Sequence, residues 1–251
     1  MKNLKIVHLS DTHGAKYHTQ VEVPKCDVLI HSGDIGGRTN IEELTSFLKW
    51  FDKQPGDLKI FVYGNHDIIC DTKFLNSLVD SEIISIEVKN NLIEMREEVL
   101  AKYPSIKILN NKDYVYEGIK FYGSPITPSF HRANWAFNAD RGEEISKYWG
   151  RIPSDTNVLI THGPPYGILD TIPVEFKKTY DEDIHRGCED LLQVIKKRLL
   201  NLKLHCFGHL HNSYGVLNEP VSNSRNVLFS NGSVINEYYE LVGKKPLIIT
   251  I

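Results

Sequence analysis

Lys5-Ile6-Val7-His8-Leu9-Ser10-Asp11-Thr12-His13-Gly14 is a short, largely apolar run that stops in two metal-type side chains and a glycine. The run Lys5 to Leu9 reads as one buried strand. Asp11 and His13 stand two residues apart, a separation that puts both on one face of extended backbone and would splay them on a helix. Gly14 allows the left-handed turn that such a junction needs. The same arrangement recurs along the chain. Asp27 to His31 is followed by Gly33-Asp34, Lys59 to Tyr63 by Gly64-Asn65-His66-Asp67, Asn157 to Thr161 by His162-Gly163, and Cys206-Phe207 by Gly208-His209-Leu210-His211. Polar groups just beyond strand ends converge on one rim of a sheet, where open α/β folds keep their sites. A solitary D-x-H or Gly-Asp is ordinary turn chemistry, and Gly64 to Asp67 alone would pass for a hairpin turn or a helix cap. Five such endings after five strands are not explained by turns.

Around this frame, further strands are expected at Tyr114 to Tyr116, Lys120 to Tyr122, Leu204 to Phe207, Val227 to Ser230 and Leu247 to Thr250, with Glu117-Gly118 as a hairpin turn. Apolar residues at helical spacing mark Ile41 to Asp52, Asn91 to Lys102, Glu143 to Trp149 and Glu189 to Leu200. Helices alternate with strands mainly in the first half, which predicts parallel strands there and a more antiparallel second sheet. No repeat or Pro/Gly/Ser-rich linker marks a boundary, so one domain over 1–251 is expected. The segments Asp71 to Pro104 and Pro165 to Gly187 read as long insertions that form substrate-facing lids.

The bulk properties narrow the function. With 251 residues, 41% hydrophobic and 24% charged, the composition is that of a soluble globular protein. A net charge of −3 supplies no electrostatic footprint for long nucleic acid. The first residues are too short and too interrupted for a signal peptide, and no apolar run approaches the ~20 residues of a membrane span. Cys26, Cys70, Cys188 and Cys206 lack any C-x-x-C spacing and read as reduced packing residues, which suits a cytoplasmic location.

The five endings D-x-H, G-D, G-N-H-D, a lone His and G-H-x-H occur in the order that characterises the calcineurin-like metallophosphoesterase superfamily, which this chain resembles. Gly123-Ser124-Pro125, Trp135-Ala136-Phe137-Asn138 with Arg141-Gly142, Leu159 to Pro165, and Phe207-Gly208-His209 before Tyr214-Gly215 extend the likeness to the metallophosphoesterase-domain-containing family. The resemblance implies an α/β fold of two packed mixed β-sheets flanked by helices, a four-layer αββα arrangement. It implies two divalent metal ions: one held by Asp11, His13, Asp34 and His211, the other by Asp34, Asn65, His162 and His209, with Asp34 bridging. A carboxylate has two oxygens that can each face a cation, whereas imidazole and amide are terminal ligands. Nitrogen and oxygen donors without thiolate suit manganese, with iron or zinc as alternatives. His66 is implied as general acid or transition-state stabiliser, oriented by Asp67. The activity implied is hydrolysis of small phosphodiesters or nucleotides by attack of a metal-bridging hydroxide. The alternatives are a phosphomonoesterase and a low-turnover nucleotide-binding regulatory module. Some members of the family it resembles look degenerate at the first histidine of the last motif, and the presence of His209 here favours turnover.

Other residues carry weaker expectations. Asn65 and His66 would also touch substrate, and Trp135, Asn138 and Arg141 are candidates for gripping a phosphate and stacking on a base. His8, His31 and His205 lie within strands and read as satisfied core groups, whereas His18, His131 and His185 read as surface. Asp181-Glu182-Asp183 reads as a solvated loop and Lys196-Lys197-Arg198 as a polar helix face. No membrane partner and no long nucleic acid are expected, and the sequence does not fix the oligomeric state.

Overall fold

The computed structural model describes residues 3–130, 135–176, 184–242 and 245–251. Its first sheet holds strands β1 (Lys5–Leu9), β2 (Val28–His31), β3 (Leu58–Phe61) and β4 (Ile106–Ile108), all parallel in that order. The second holds β5 (Lys112–Tyr116), β6 (Ile119–Ser124), β9 (Val158–Thr161), β10 (Leu204–Phe207), β11 (Gly215–Ser222) and β12 (Arg225–Asn231), ordered β11-β12-β10-β9-β6-β5. Two-residue strands β7 (Thr127–Pro128) and β8 (Asn138–Ala139) pair separately, and β13 (Leu247–Thr250) closes the first sheet antiparallel to β1. Both sheets are therefore mixed: the first is parallel apart from its β13 edge, and the second has a parallel centre edged by the hairpins β5–β6 and β11–β12. Glu117 and Gly118 both take positive φ, 49° and 75°, as a two-residue hairpin turn requires.

Period-two alternation builds the layers. Ile6, Val28, Ile30 and Ile60 from the first sheet meet Phe121, Val158, Ile160 and Leu204 from the second in one buried cluster between the sheets. The intervening residues Val7, Leu29, Phe61, Leu159, Phe207 and Phe229 point outwards into the apolar faces of the helices. Helix α2 (Ile41–Asp52) supplies Leu44, Phe47, Leu48 and Phe51; α5 (Glu143–Trp149) and α6 (Glu189–Lys197) supply Ile145, Trp149, Leu191 and Ile195. The result is the expected pair of mixed sheets flanked by helices. Full burial of one such aliphatic or aromatic side chain stabilises by about 1.5–3 kcal/mol.

The predicted lids differ. Residues 71–104 contain α3 (Thr72–Asp80) and α4 (Ile86–Ala101), whose Phe74, Leu75 and Val99 are buried. Arg96 of α4 donates to the Ile69 carbonyl at 3.0 Å, so this insertion is anchored helical layer and not a loose cover. Of the second insertion, residues 165–176 and 184–187 are described, and they are pinned where Gly187 N and Gly167 N donate to the buried Asp170 at 3.0 and 2.8 Å. The acidic run Asp181-Glu182-Asp183 and His131 lie outside the described residues. His18, expected at the surface, is buried and stacked on Trp50 with ring centroids 4.9 Å apart. A short helix, α1 (Ala15–His18), turns it inward against α2. His185 is likewise engaged, its Nδ1 2.5 Å from Asp170 Oδ1. All four cysteines are free and buried.

Candidate metal centre

The five strand endings of both sheets meet at one rim. Asp11, His13 and His211 present ligand atoms within 4.8 Å of one another, and so do Asp34, His162 and His209. Asp34 stands between the groups: its Oδ2 is 3.2 Å from His162 Nε2 and 3.8 Å from His13 Nε2. Asn65 joins the second group, with Oδ1 3.0 Å from His162 Nε2. All seven residues singled out as metal ligands in the sequence are thus brought together.

Local backbone explains how. Asp11, His13, Asp34 and His209 have φ of 53°, 38°, 58° and 70°, a region non-glycine residues seldom adopt. The neighbouring glycines were expected to allow positive φ, as Gly14 and Gly33 do at 108° and 112°; here the donors themselves carry it too. Neighbouring glycines are needed for a second reason, close approach. A Cβ on Gly64 would lie 2.2 Å from Asp34 Oδ1, and one on Gly208 2.0 Å from Asp11 Oδ2.

Hydrogen bonds fix which nitrogen of each imidazole faces inward. His162 Nδ1 lies 2.9 Å from the Ser32 carbonyl and His211 Nδ1 3.3 Å from the Asn236 carbonyl. A carbonyl can only accept, so Nδ1 carries the proton in each and the Nε2 lone pair faces the centre. His162 Nε2 then confronts two more acceptors, Asp34 Oδ2 and Asn65 Oδ1, and His211 Nε2 confronts Asp11 Oδ1 at 3.3 Å. Both His13 ring nitrogens are buried and unbonded among the described residues. Acceptors aimed at acceptors in a buried place are stabilised by a cation between them, so the donor set fits two divalent ions.

In the absence of a cation, a proton on Nε2 relieves the same clash, and the electrostatics show the pull on it. Burial lowers His162, but the Asp34 carboxylate overrides it and raises the imidazole to about 9. His211 is likewise lowered by burial and carried above its ordinary value by its contact with Asp11. Burial raises both carboxyls, yet His211 beside Asp11 and His162 beside Asp34 hold them well below the usual range. His13 and His209 go the other way, to about 4 and about 3, because burial dominates.

The surrounding residues correct several expectations. Asp67 does not orient the His66 ring. Its carboxylate accepts from the backbone of Asp34, Ile35 and Gly64 at 3.1, 3.0 and 2.7 Å and from Thr39 Oγ1 at 2.7 Å, tying two ligand-bearing turns together. Burial and the nearby Asp34 charge push its carboxyl up to about 6. The His66 Nδ1 is held instead by the Gly37 carbonyl, and the His66 ring lies 4.7 Å from that of His13. Trp135 does reach the site, its ring 4.2 Å from His66. Arg141 is otherwise engaged: its guanidinium donates to the Gly187 and Arg186 carbonyls at 2.8 and 2.9 Å, bracing the segment before α6. Asn138 Nδ2 donates to Thr127 Oγ1 at 2.6 Å within the β7–β8 pair.

Sequence reasoning missed other neighbours. Ser233 Oγ donates to Asp11 Oδ2 at 2.8 Å, Tyr239 packs its ring 5.2 Å from His13, and Phe130 lies 5.1 Å from His209. Ser233 was findable, because Asn231-Gly232-Ser233 is one more strand ending in a small polar turn. Among the core histidines, His8 joins Ser230 and Ser32 across the two sheets at 2.7 and 2.9 Å. His31 accepts from Gly33 N and faces Thr12 Oγ1, each at 3.2 Å.

Comparison with known proteins agrees with this geometry. A family model described as calcineurin-like phosphoesterase matches residues 4–213. The chain is 31% identical over 248 residues to metallophosphoesterase domain-containing protein 1 of Homo sapiens, covering 98% of this chain and 71% of that protein. It is 30% identical over 250 residues to a UPF0046 protein of Caenorhabditis elegans, covering 99% and 75%. A solved crystal structure shares the fold at a TM-score of 0.58 and 15% identity, over 100% of this chain and 99% of its own.

Proposed function

Since the chain belongs to the calcineurin-like phosphoesterase family, we propose that it is a dinuclear metal-dependent phosphodiesterase acting on small phosphodiesters or nucleotides. One observation carries this reading: two groups of acceptors, Asp11-His13-His211 and Asp34-His162-His209, all buried except the half-buried His209 and aimed at one another across Asp34. When bound, two divalent ions there would polarise phosphoryl oxygens and supply a nucleophile at neutral pH. Manganese suits the oxygen and nitrogen donors, with iron or zinc as alternatives.

The protein's own groups do the rest. His66 uses Nδ1 on the Gly37 carbonyl, which leaves Nε2 as the nitrogen that meets substrate. With hydrogens on both ring nitrogens, the imidazolium can give its Nε2 proton to the departing oxygen as the ester bond breaks, leaving a neutral ring whose Nδ1–H stays on the Gly37 carbonyl. Asp34 Oδ1 accepts the His66 backbone N–H at 2.8 Å and so sets that histidine against the metal cage. Rings flank both sides: Tyr239 beside His13 and His211, Phe130 and Trp135 beside His209 and His66. Apolar walls on two sides accommodate two organic substituents on phosphorus, which favours a diester over a monoester. The net charge of −3 supports a small substrate over a long polynucleotide, and four free cysteines suit a reducing cytoplasm.

The test is a panel of bis(4-nitrophenyl) phosphate, 4-nitrophenyl phosphate and cyclic nucleotides, assayed with chelator and with added manganese, iron or zinc. Metal-dependent cleavage that is faster on the diesters is expected. Faster monoester cleavage would make the protein a phosphatase, and tight binding of nucleotide without cleavage would make it a regulatory module.

A further inference from the structure

Arg38 stands on the loop after Asp34, and its backbone is locked to His66 from both sides. Gly37 O accepts from His66 Nδ1, and Thr39 N donates to the His66 carbonyl at 2.9 Å. The exposed guanidinium lies over the Trp135 ring, 4.9 Å from Cζ to the centroid, and that ring is in turn 4.2 Å from His66. Five of the other described arginines behave differently. Arg96, Arg141, Arg186, Arg198 and Arg225 each donate to backbone carbonyls, so their positions are accounted for by the fold. Among the described residues the Arg38 guanidinium makes no hydrogen bond or ion pair, and its fixed stem and stacked face leave the N–H edge to something else. Arg151 too is held only over a ring, but that ring is Tyr148 on α5, not one beside the metal centre.

We propose that Arg38 is the group that recognises a second anion on the substrate, so that the preferred substrates carry another phosphate or carboxylate next to the phosphorus that is attacked. The inference rests on the phosphoesterase reading for its frame, and it replaces Arg141 in the role the sequence suggested. A guanidinium is weakly hydrated and presents paired donors matched to phosphate or carboxylate while its face stays on an aromatic ring. Trp135 links this cation to His66, whose ring lies 4.7 Å from that of His13, so an anion held by Arg38 would bridge two positively charged regions and relieve their repulsion. Trp135 then serves as the ring that both Arg38 and His66 rest on, not as a surface for a base.

Equilibrium binding separates this from the activity. Dissociation constants for adenosine monophosphate and adenosine diphosphate are measured by calorimetry on the protein with manganese in excess, for the parent chain, Arg38→Ala and Arg38→Lys. The parent is expected to hold the diphosphate about tenfold more tightly than the monophosphate, as one charge-assisted contact predicts. Arg38→Ala is expected to bring the two nearly level, and Arg38→Lys to fall between. The same diphosphate preference in parent and Arg38→Ala would overturn the proposal, as would failure of either nucleotide to bind. Absence of any turnover, with the Arg38-dependent preference intact, would sink the hydrolase reading and leave the role of Arg38 standing.

Discussion

At Gly208 a single methyl group would compete with the Asp11 carboxylate for the same space. The added Cβ would stand 2.0 Å from Asp11 Oδ2 and 2.2 Å from Ser10 Oγ, so Gly208→Ala must displace a donor or shift the His209 turn. We expect a loss of about 1–3 kcal/mol in chemical denaturation, with weaker manganese uptake in parallel. Parent-like values for both would show that the turn gives way freely. His209→Gly removes a donor without crowding, and kcat should fall by more than about 100-fold, the upper range for losing a group that merely supports a ligand. Nucleotide binding should survive, and equal turnover in variant and parent would remove His209 from the chemistry. Residues of this kind were legible in the sequence because their type, their order and the glycines beside them all pointed one way. Asp67, Arg141 and His18 were not, since what a carboxylate, a guanidinium or an imidazole touches depends on elements far along the chain. Thr39 claims Asp67, Gly187 claims Arg141, and Trp50 covers His18.

Elements were legible where a buried strand or an amphipathic stretch dictated its own period. Strand β1, helix α2, helix α5 and strands β10 and β13 fall on the expected residues. Strand β11 escaped because only one of its faces is covered and Glu219-Pro220 interrupts any apolar run; it is an edge strand that pairs with β12 alone. Helix α3 escaped because it lies at the start of the segment read as a lid, and α4 begins at Ile86, earlier than its spacing suggested, because Ser85 caps it. The first turn of α2 offers an element-scale test. Asn40 Oδ1 accepts from Glu43 N at 2.9 Å, and the Glu43 side chain answers at Asn40 N, closing a capping box directly after the Arg38-Thr39 loop. Asn40→Ala should cost about 1 kcal/mol by thermal or urea unfolding. A loss under a few tenths would mean that packing of Leu44 and Phe47 alone fixes the helix start.

For the molecule as a whole, the buried imidazoles make stability depend on pH in two opposed ways. His8, His18, His31 and His205 are lowered from 6.5 to about 3, 4, 3 and 3 by burial. The unfolded chain takes up protons at these histidines as pH falls through 6.5 while the folded one does not until about 4 or 3. Stability should therefore drop across that window, by about 1.4 kcal/mol per pH unit for each histidine. His162, raised to about 9, acts oppositely in chelated protein: its contribution is complete below 6.5 and is lost as pH rises through 9. Melting temperatures in chelator should peak near pH 6.5. His18, whose ring nitrogens have no partner among the described residues, gives the control: His18→Leu should soften the acid decline, and an unchanged slope would refute the account.

Asp11, His13, Asp34 and His209 bend the polypeptide into shapes that it would not choose at those positions, and the packed sheets beneath them enforce those bends. Distortion of that kind costs about 1–3 kcal/mol per residue, and it persists only while the surrounding structure over-determines it. A core substitution that loosens the sheets far from the rim should therefore release these four positions first.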